Sequence, residues 1–402
     1  MRAVTRLADD ATARLDLNDI ARGDGFLFVR DGVGLAGRGT AARASSADIA
    51  GVLASIEHVD ETGGTVPVAP VAIGWVPFEP SHPGELVVPA VTVRKTADGR
   101  RLVTTVDGGV DPASAVGLPA PHQPAPSASA YRIEPITPID RYLAAVEAAR
   151  ASVRSGALTK AVIAREIEVV ADRPIDVHGV LHRLKATFGS SYRYAVDGLI
   201  GASPELLVEV DGLDVRSHPL AGTAPRSGDA ATDARIAADL IASTKNQVEH
   251  RVVIDVVHDT LLPWCSFLDW EPEPAVVTVA NVQHLGTRIE GVLSAPPPNV
   301  LELVRALSPT PALGGHPRRV ALDLIASLEG FERGRYGGAV GVVDALGNGS
   351  WAVAIRGAEL SADGCRARLV AGGGIVADSD PLSELAETQS KFQAMLSALI
   401  RP

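Results

Sequence analysis

Glu249, Glu384 and Glu387, with Lys160, Glu205, Lys391 and Arg356, are the residues whose types and spacing could do chemistry in this chain. Residues 371–391, AGGGIVADSDPLSELAETQSK, run from a glycine-rich turn into a helix carrying Glu384, Glu387 and Lys391. Bare backbone amides in such a turn can hold a carboxylate, and a glutamate pair beyond it can hold a hard divalent cation. An anion gripped in both ways would be a small acid. Asp380 as N-cap and Pro381 at the first helical position set the helix start, which leaves Gly372, Gly373 and Gly374 just ahead of a helix N-terminus. Leu385, Phe392, Leu396 and Leu399 define the buried face of that helix, with the two glutamates and Lys391 along its edge. A solvated Glu–Lys pair at i,i+4 is the plainer reading of the same spacing.

KNQVEHRVVIDVV (245–257) has helical spacing, with Val248, Val252, Val253, Val256 and Val257 as its apolar stripe. Glu249 falls in the middle of that stripe. A carboxylate aimed into a core needs a partner or a metal. A buried salt bridge, with an arginine for instance, competes with a metal ligand there. WAVAIRGAEL (351–360) alternates as a strand, with Trp351, Val353 and Ile355 on one face and Ala352, Ala354 and Arg356 on the other. The small alanines leave room beside a guanidinium suited to bidentate carboxylate binding. An arginine on the solvent side of a sheet fits the pattern equally.

LTKAVIAREI (158–167) puts Lys160 just ahead of an apolar strand, and GASPELLVEV (201–210) puts Glu205 after a Ser-Pro turn at a strand start. Singly, each reads as an ordinary surface charge. As a pair they could act as base and acid. The lysine would have to be neutral, and moving its pKa from about 10.4 to about 7.5 costs roughly 4 kcal/mol, which burial and nearby positive charge can impose. His284, in VQHLGT, and His250 are the histidines best placed for a site, although a structural histidine is the commoner outcome.

These groups need a scaffold, and the chain has the material for one. Its 402 residues suffice for one large domain or two ordinary ones; 46% are hydrophobic and 21% charged. A net charge of −11 argues against a nucleic-acid surface. Cys265 and Cys365 have no metal-ligand spacing and point to a reducing compartment. The start, MRAVTRLADDATARLDL, has acidic residues where a signal peptide would need an apolar run, and no stretch of 18 apolar residues offers a membrane span. A cytoplasmic protein is expected.

Residues 1–115 read as strand-rich, with VAPVAIGWVPF (68–78) and ELVVPAVTVRKT (85–96) as strand-length runs. GLPAPHQPAPSASA (117–130) reads as a linker or long surface loop. A helix is expected from Pro138 to about Ser155. Beyond it, hairpin signals such as Gly347-Asn348-Gly349 favour antiparallel sheets flanked by helices over a parallel array.

Taken together and in order, ten segments resemble the chorismate-utilising enzymes, the family of isochorismate synthase, salicylate synthase and the first components of anthranilate and aminodeoxychorismate synthases. They are LTKAVIAR, SPELLVEV, HPLAGTAPR (218–226), KNQVEHRVV, VQHLGT, SPTPALGGHP (308–317), YGGAVG (336–341), AIRGAEL, AGGGIV and ELAETQSK. The resemblance covers roughly residues 136–396. It divides the chain into a divergent N-terminal part of the fold, 1–135, and a chorismate-binding part, 136–402. It implies an α+β architecture of two large antiparallel β-sheets packed face to face with helices outside, as in anthranilate synthase component I. The active site would lie between sheet ends and the C-terminal helices.

The resemblance also implies roles. Glu249 and Glu387 would ligate Mg²⁺, with Glu384 close by, and the ion would hold the ring carboxylate of chorismate. Arg356 and the amides near Gly372, Gly373 and Gly374 would take the enolpyruvyl carboxylate. Gly222 and Thr223 would support the ring, and His284, Ala312, Leu313, Tyr336 and Lys391 would line the pocket. Three positions sort the subfamilies. A lysine at 160 marks the enzymes that add water. Ala221 stands where aminodeoxychorismate synthases carry a nucleophilic lysine. Ala312 stands where enzymes that also eliminate pyruvate carry threonine. The expectation is a Mg²⁺-dependent isochorismate synthase serving menaquinone or siderophore synthesis, with Lys160 as base and Glu205 as acid. It would be a monomer with no glutaminase partner, no nucleic acid and no membrane. Salicylate synthase is the nearest alternative, then an amidotransferase component, then a chorismate-binding protein without turnover.

Overall fold

The computed structural model describes residues 1–64, 68–107, 128–279 and 281–401. Two large sheets dominate. The first runs, edge to edge, Tyr131–Pro135, Lys160–Ala171, Arg366–Ile375, Gly357–Leu360, Leu199–Ser203, Tyr192–Val196, Phe26–Arg30, Val33–Arg38, Val91–Lys95, Arg101–Val106, Arg2–Leu7 and Glu57–Asp60, with the short strand Gly315–His316 also on Lys160–Ala171. The second runs Cys265–Trp270, Ile289–Leu293, Asp214–His218, Leu206–Asp211, Gly349–Val353, Ala339–Asp344, Val71–Val76, Glu85–Val88 and Ala42–Ser45. A small third sheet holds Leu220–Pro225, Val282–Gly286 and Ala275–Val279. The described pairings are antiparallel except that of Arg2–Leu7 with Glu57–Asp60.

The strand sequences explain the layering. Phe26, Leu27, Phe28 and Val29 are all buried because the first sheet is covered on both faces. Phe26, Phe28, Leu35 and Tyr194 meet Ile73, Val87 and Val340 of the second sheet. The alternate residues Leu27, Val29, Ala36 and Val93 pack instead with Leu181, Leu184, Phe392 and Leu396 from helices Val177–Thr187 and Pro381–Ile400. Behind the second sheet, Trp351 and Val343 pack with Val300 and Val304 of helix Val300–Leu307 and with Val253 of helix Thr244–Leu261. Helix, sheet, sheet, helix is the expected face-to-face architecture.

The expected helix after Pro138 is Ile139–Arg154, and Gly347 turns the hairpin between Ala339–Asp344 and Gly349–Val353 with φ 87°. The run 85–96 divides at Pro89 into strands of two different sheets. The linker expected at 117–130 lies mostly outside the described residues. Strands from 1–135 and from 136–402 share both large sheets, as adjoining blocks except that Tyr131–Pro135 sits at the far edge of the first.

Four local expectations are corrected. The buried face of Thr244–Leu261 is His250, Val253, Ile254, Val257 and Leu261. Val248 is exposed and Val252 and Val256 are half-buried, because their row is centred about 160° around the helix from the contact face. The alternation over 351–356 does not persist. The strand ends at Val353, and Arg356, at φ 56°, turns the chain out of the second sheet into strand Gly357–Leu360 of the first. Gly372, Gly373 and Gly374 are no turn before a helix. They lie inside Arg366–Ile375, and the helix begins at Pro381 behind its Asp380 cap. Leu385 is only half-buried on that helix.

Candidate active site

One cavity, about 740 Å³ including its mouth, opens where the first sheet splays. Arg366–Ile375 pairs with Lys160–Ala171 from Val170↔Arg366 to Ala161↔Ile375, but its other neighbour, Gly357–Leu360, reaches only Ala367 and Arg368. Val162 gives its amide to the Gly314 carbonyl and Ala164 gives its amide to Glu329 Oε1. Their ladder partners Gly374 and Gly372 are therefore non-hydrogen-bonded pairs, whose amides turn to the opposite, open edge. The cavity is lined on that side by Gly372 and Gly374 and elsewhere by Glu205, Ala221, His284, Arg356 and Lys391.

Lys160 and Glu205 both line it, and both are almost fully buried, at 1% and 3% exposure. The carboxyl of Glu205 accepts from the Leu220 amide, and its Oε1 has no partner. Burial pushes this carboxyl up to about 7; the Leu220 hydrogen bond and the charges of Lys160, Arg356 and Lys391 restrain the rise. Near neutrality it holds its proton about half the time, which suits a proton donor.

Lys160 Nζ lies 2.9 Å from Glu249 Oε1. The buried salt bridge considered for Glu249 thus exists, with a lysine rather than an arginine. Burial alone would raise the Glu249 carboxyl, but the charge and hydrogen bond of Lys160 hold it below the usual range. Glu387 also lines the cavity, 2.5 Å from Lys391 Nζ, which also donates to the Gly372 carbonyl at 2.7 Å. Glu384 does not line the cavity. It is buried behind it, accepting from Ser379 Oγ at 2.8 Å and Lys245 Nζ at 3.2 Å. Burial and the neighbouring Glu387 raise its carboxyl. Each of the three carboxylates thus faces its own lysine. Their oxygens are not all within 4.8 Å of one another. An all-carboxylate oxygen set with buried members is nonetheless the donor chemistry of a hard cation.

The glycines make room for this cluster. A Cβ at Gly374 would sit 2.4 Å from Glu249 Oε1 and 2.8 Å from Lys160 Cε, and one at Gly373 would sit 2.5 Å from Glu384 Oε2. Gly373 itself does not line the cavity. Gly374→Ala is expected to fold, since a side-chain end can shift, but to lower activity by about 10²-fold because the Lys160–Glu249 pair moves. Steady-state kinetics beside a thermal melt would check this; an active Gly374→Ala protein would contradict it.

Arg356 is fixed from several sides. Tyr194, fully buried, donates to the Ile355 carbonyl at 2.9 Å, and the Ala202 amide donates to the Arg356 carbonyl at 3.1 Å. Arg356 Nη2 donates to His284 Nε2 at 3.0 Å, and Nη1 is buried without a partner. An arginine can only donate and the Gly222 carbonyl can only accept, so His284 carries its proton on Nδ1, 3.2 Å from that carbonyl. Burial, then the charges of Arg356 and Lys391, push His284 well below its ordinary value, so it is neutral. The unpartnered Arg356 Nη1 and Glu205 Oε1 call for a ligand in the cavity. Gly222, at φ 76°, Thr223, Ala312, Leu313 and Tyr336 also line it. His250 does not line it; it bonds Thr287 Oγ1 at 2.8 Å.

Sequence reading missed Tyr194, Lys245 and the buried pair Glu329–Arg333. Arg333 donates to the Val162 and Leu313 carbonyls, at 2.7 Å each, tying the strand after Lys160 to the loop bearing Leu313. The i,i+4 spacing of Glu329 and Arg333 was the available signal, but it does not distinguish a buried pair from an exposed one.

Comparison with known proteins gives a consistent result. The chorismate binding enzyme family model matches residues 82–400. Isochorismate synthase DhbC of Bacillus subtilis is 40% identical over 280 residues, covering 67% of this chain and 70% of that protein. Isochorismate synthase EntC of Escherichia coli is 36% identical over 338 residues, covering 82% and 81%. The solved structure of the menaquinone-specific isochorismate synthase MenF from Escherichia coli superposes with a TM-score of 0.82 over 99% of this chain and 94% of that one; at 24% identity this bears on the fold alone.

Proposed function

The chain belongs to the chorismate-binding enzyme family, and from that premise we propose that it is an isochorismate synthase, converting chorismate reversibly to isochorismate. The observation that carries this reading is the placement of Lys160 and Glu205 in one cavity, with an unpartnered Glu205 oxygen and a carboxyl poised near neutrality. Lys160, neutral once Glu249 has turned from it to the cation and its own proton has passed to solvent, takes a proton from water as the water oxygen bonds to ring carbon 2. The ring double bonds shift, the bond from carbon 4 to its hydroxyl breaks, and Glu205 gives its proton to the departing oxygen. One water enters and one leaves; Lys160 then gives up the proton it took, and Glu205 regains the one it gave, through solvent. Arg356, with its free Nη1, and the open amides of Gly372 and Gly374 hold the enolpyruvyl carboxylate.

Glu249 and Glu387, with Glu384 behind them, would hold Mg²⁺, whose charge orients and screens the ring carboxylate. The three facing lysines now balance these carboxylates. Because water rather than ammonia is the nucleophile, the enzyme needs no glutaminase partner. Alanine at 221 and 312 supports release of isochorismate without further chemistry, for menaquinone or siderophore synthesis.

Incubation with chorismate and Mg²⁺, followed by chromatographic separation, should yield isochorismate, and a chelator should stop the reaction. Salicylate formed without an added lyase, or an aminated product formed with ammonia, would overturn the assignment.

A further inference from the structure

Outside the cavity, three metal-binding side chains converge. His178 and His182 stand at i,i+4 on helix Val177–Thr187, one turn apart on the same face. Asp19 reaches them from the short helix Leu17–Ala21. Asp19 Oδ1 lies 3.0 Å from His178 Nε2 and 2.8 Å from His182 Nε2, and the two ring nitrogens are 3.1 Å apart. His178 is buried; His182 and Asp19 are partly open to solvent. Among the described residues this is the trio of histidine, cysteine and carboxylate groups whose ligand atoms gather within 4.8 Å.

Hydrogen bonding alone serves this triangle poorly. If both Nε2 atoms carry protons, two donors crowd one oxygen at 3.1 Å from each other. If only one does, one of the two contacts with Asp19 loses its hydrogen. A single cation accepts three lone pairs at once. Ligand atoms about 2.0–2.1 Å from a tetrahedral metal lie about 3.3 Å apart, so the triangle has to open only by a few tenths of an ångström. Two imidazoles and one carboxylate are a borderline donor set, suited to Zn²⁺ rather than Mg²⁺.

We propose that Asp19, His178 and His182 form a transition-metal site of the Zn²⁺ type, with its fourth position open to water, that clamps the N-terminal segment to helix Val177–Thr187. The same two segments are already joined by the ion pair of Asp16 with Lys185, and Asn18 of that segment accepts from buried Arg193 at 3.0 Å. The helix is fastened in turn to the C-terminal helix, since Arg183 donates to the Ala398 carbonyl at 2.6 Å. The clamp is structural, and none of its three residues lines the cavity.

Zn²⁺ titration of the chelator-stripped full chain, with saturating Mg²⁺ to cover the carboxylate cluster, tests this. One equivalent should bind and raise the melting temperature, and Co²⁺ in its place should give the visible absorption of a tetrahedral site. His182→Ala, a half-exposed change that leaves the core alone, should weaken Zn²⁺ by at least about tenfold. It should also abolish the Co²⁺ band while chorismate turnover stays as in the parent. Asp19→Ala should do the same. No bound Zn²⁺ in the parent, or unaltered binding and absorption in both variants, would overturn the proposal.

Discussion

Glu205→Gln is expected to lower turnover of chorismate by about 10²–10⁴-fold, keep the fold, and melt at a higher temperature than the parent above pH 7. The amide fills the same space but has no proton to give the departing hydroxyl. The stability effect follows from linkage. The folded-state carboxyl titrates at about 7, against about 4.3 in an unfolded chain. Below the lower value both states are protonated and the group contributes nothing. Between the two the native state keeps a proton that the unfolded state has lost, so stability falls as pH rises. Above the upper value the whole cost, roughly 4 kcal/mol, is present. Glutamine carries no such cost. The melting difference between variant and parent should therefore be small at pH 5 and full at pH 8, and the parent's kcat/KM should decline as pH rises through about 7. Near-parental activity of pure Glu205→Gln, or a melting difference flat with pH, would falsify the role given to this carboxyl.

Lys160→Ala should abolish activity by a comparable factor and also destabilise the protein, by about 3–5 kcal/mol, because it leaves Glu249 charged and buried without its lysine. The two losses can be separated. Lys160→Ala combined with Glu249→Gln removes the stranded charge, so it should recover most of the stability and none of the turnover. In Lys160→Ala alone, Mg²⁺ should raise the melting temperature more than it does in the parent, since the carboxylate has no competing counter-charge. Calorimetric melts with and without Mg²⁺ measure both. Equal Mg²⁺ shifts in parent and variant would detach Glu249 from the cation, and an active Lys160→Ala would remove the base.

What the sequence disclosed was chemistry at short range. The i,i+3 and i,i+4 groupings of Glu384, Glu387 and Lys391, the cap at Asp380 and the hairpin at Gly347 depend on neighbours a few residues apart. The resemblance supplied the assembly of the sheets, which no local pattern encodes. The errors arose where tertiary contact decides. Gly372 to Gly374 read as a turn because glycine frees the backbone, whereas their use is the absent Cβ beside Glu249 and Glu384. Arg356 read as one more strand residue because the alternation of side chains says nothing about a chain leaving one sheet for another. The valine row of Thr244–Leu261 failed because valines at 248, 252 and 256 do not report which flank meets the core. The Asp19, His178 and His182 triangle joins residues about 160 apart and had no sequence signal beyond a histidine pair.

The ladder between Lys160–Ala171 and Arg366–Ile375 joins strands about two hundred residues apart. On a ribosome adding about 5–20 residues per second, the earlier strand waits for about 10–40 s before its partner emerges. For that interval the nascent polypeptide carries an open apolar edge, a natural client for holding chaperones. With the proposed roles of Glu387 and Lys391, catalytic competence arrives only with the last helix, so a prematurely terminated product is expected to be an aggregation hazard rather than a weak enzyme.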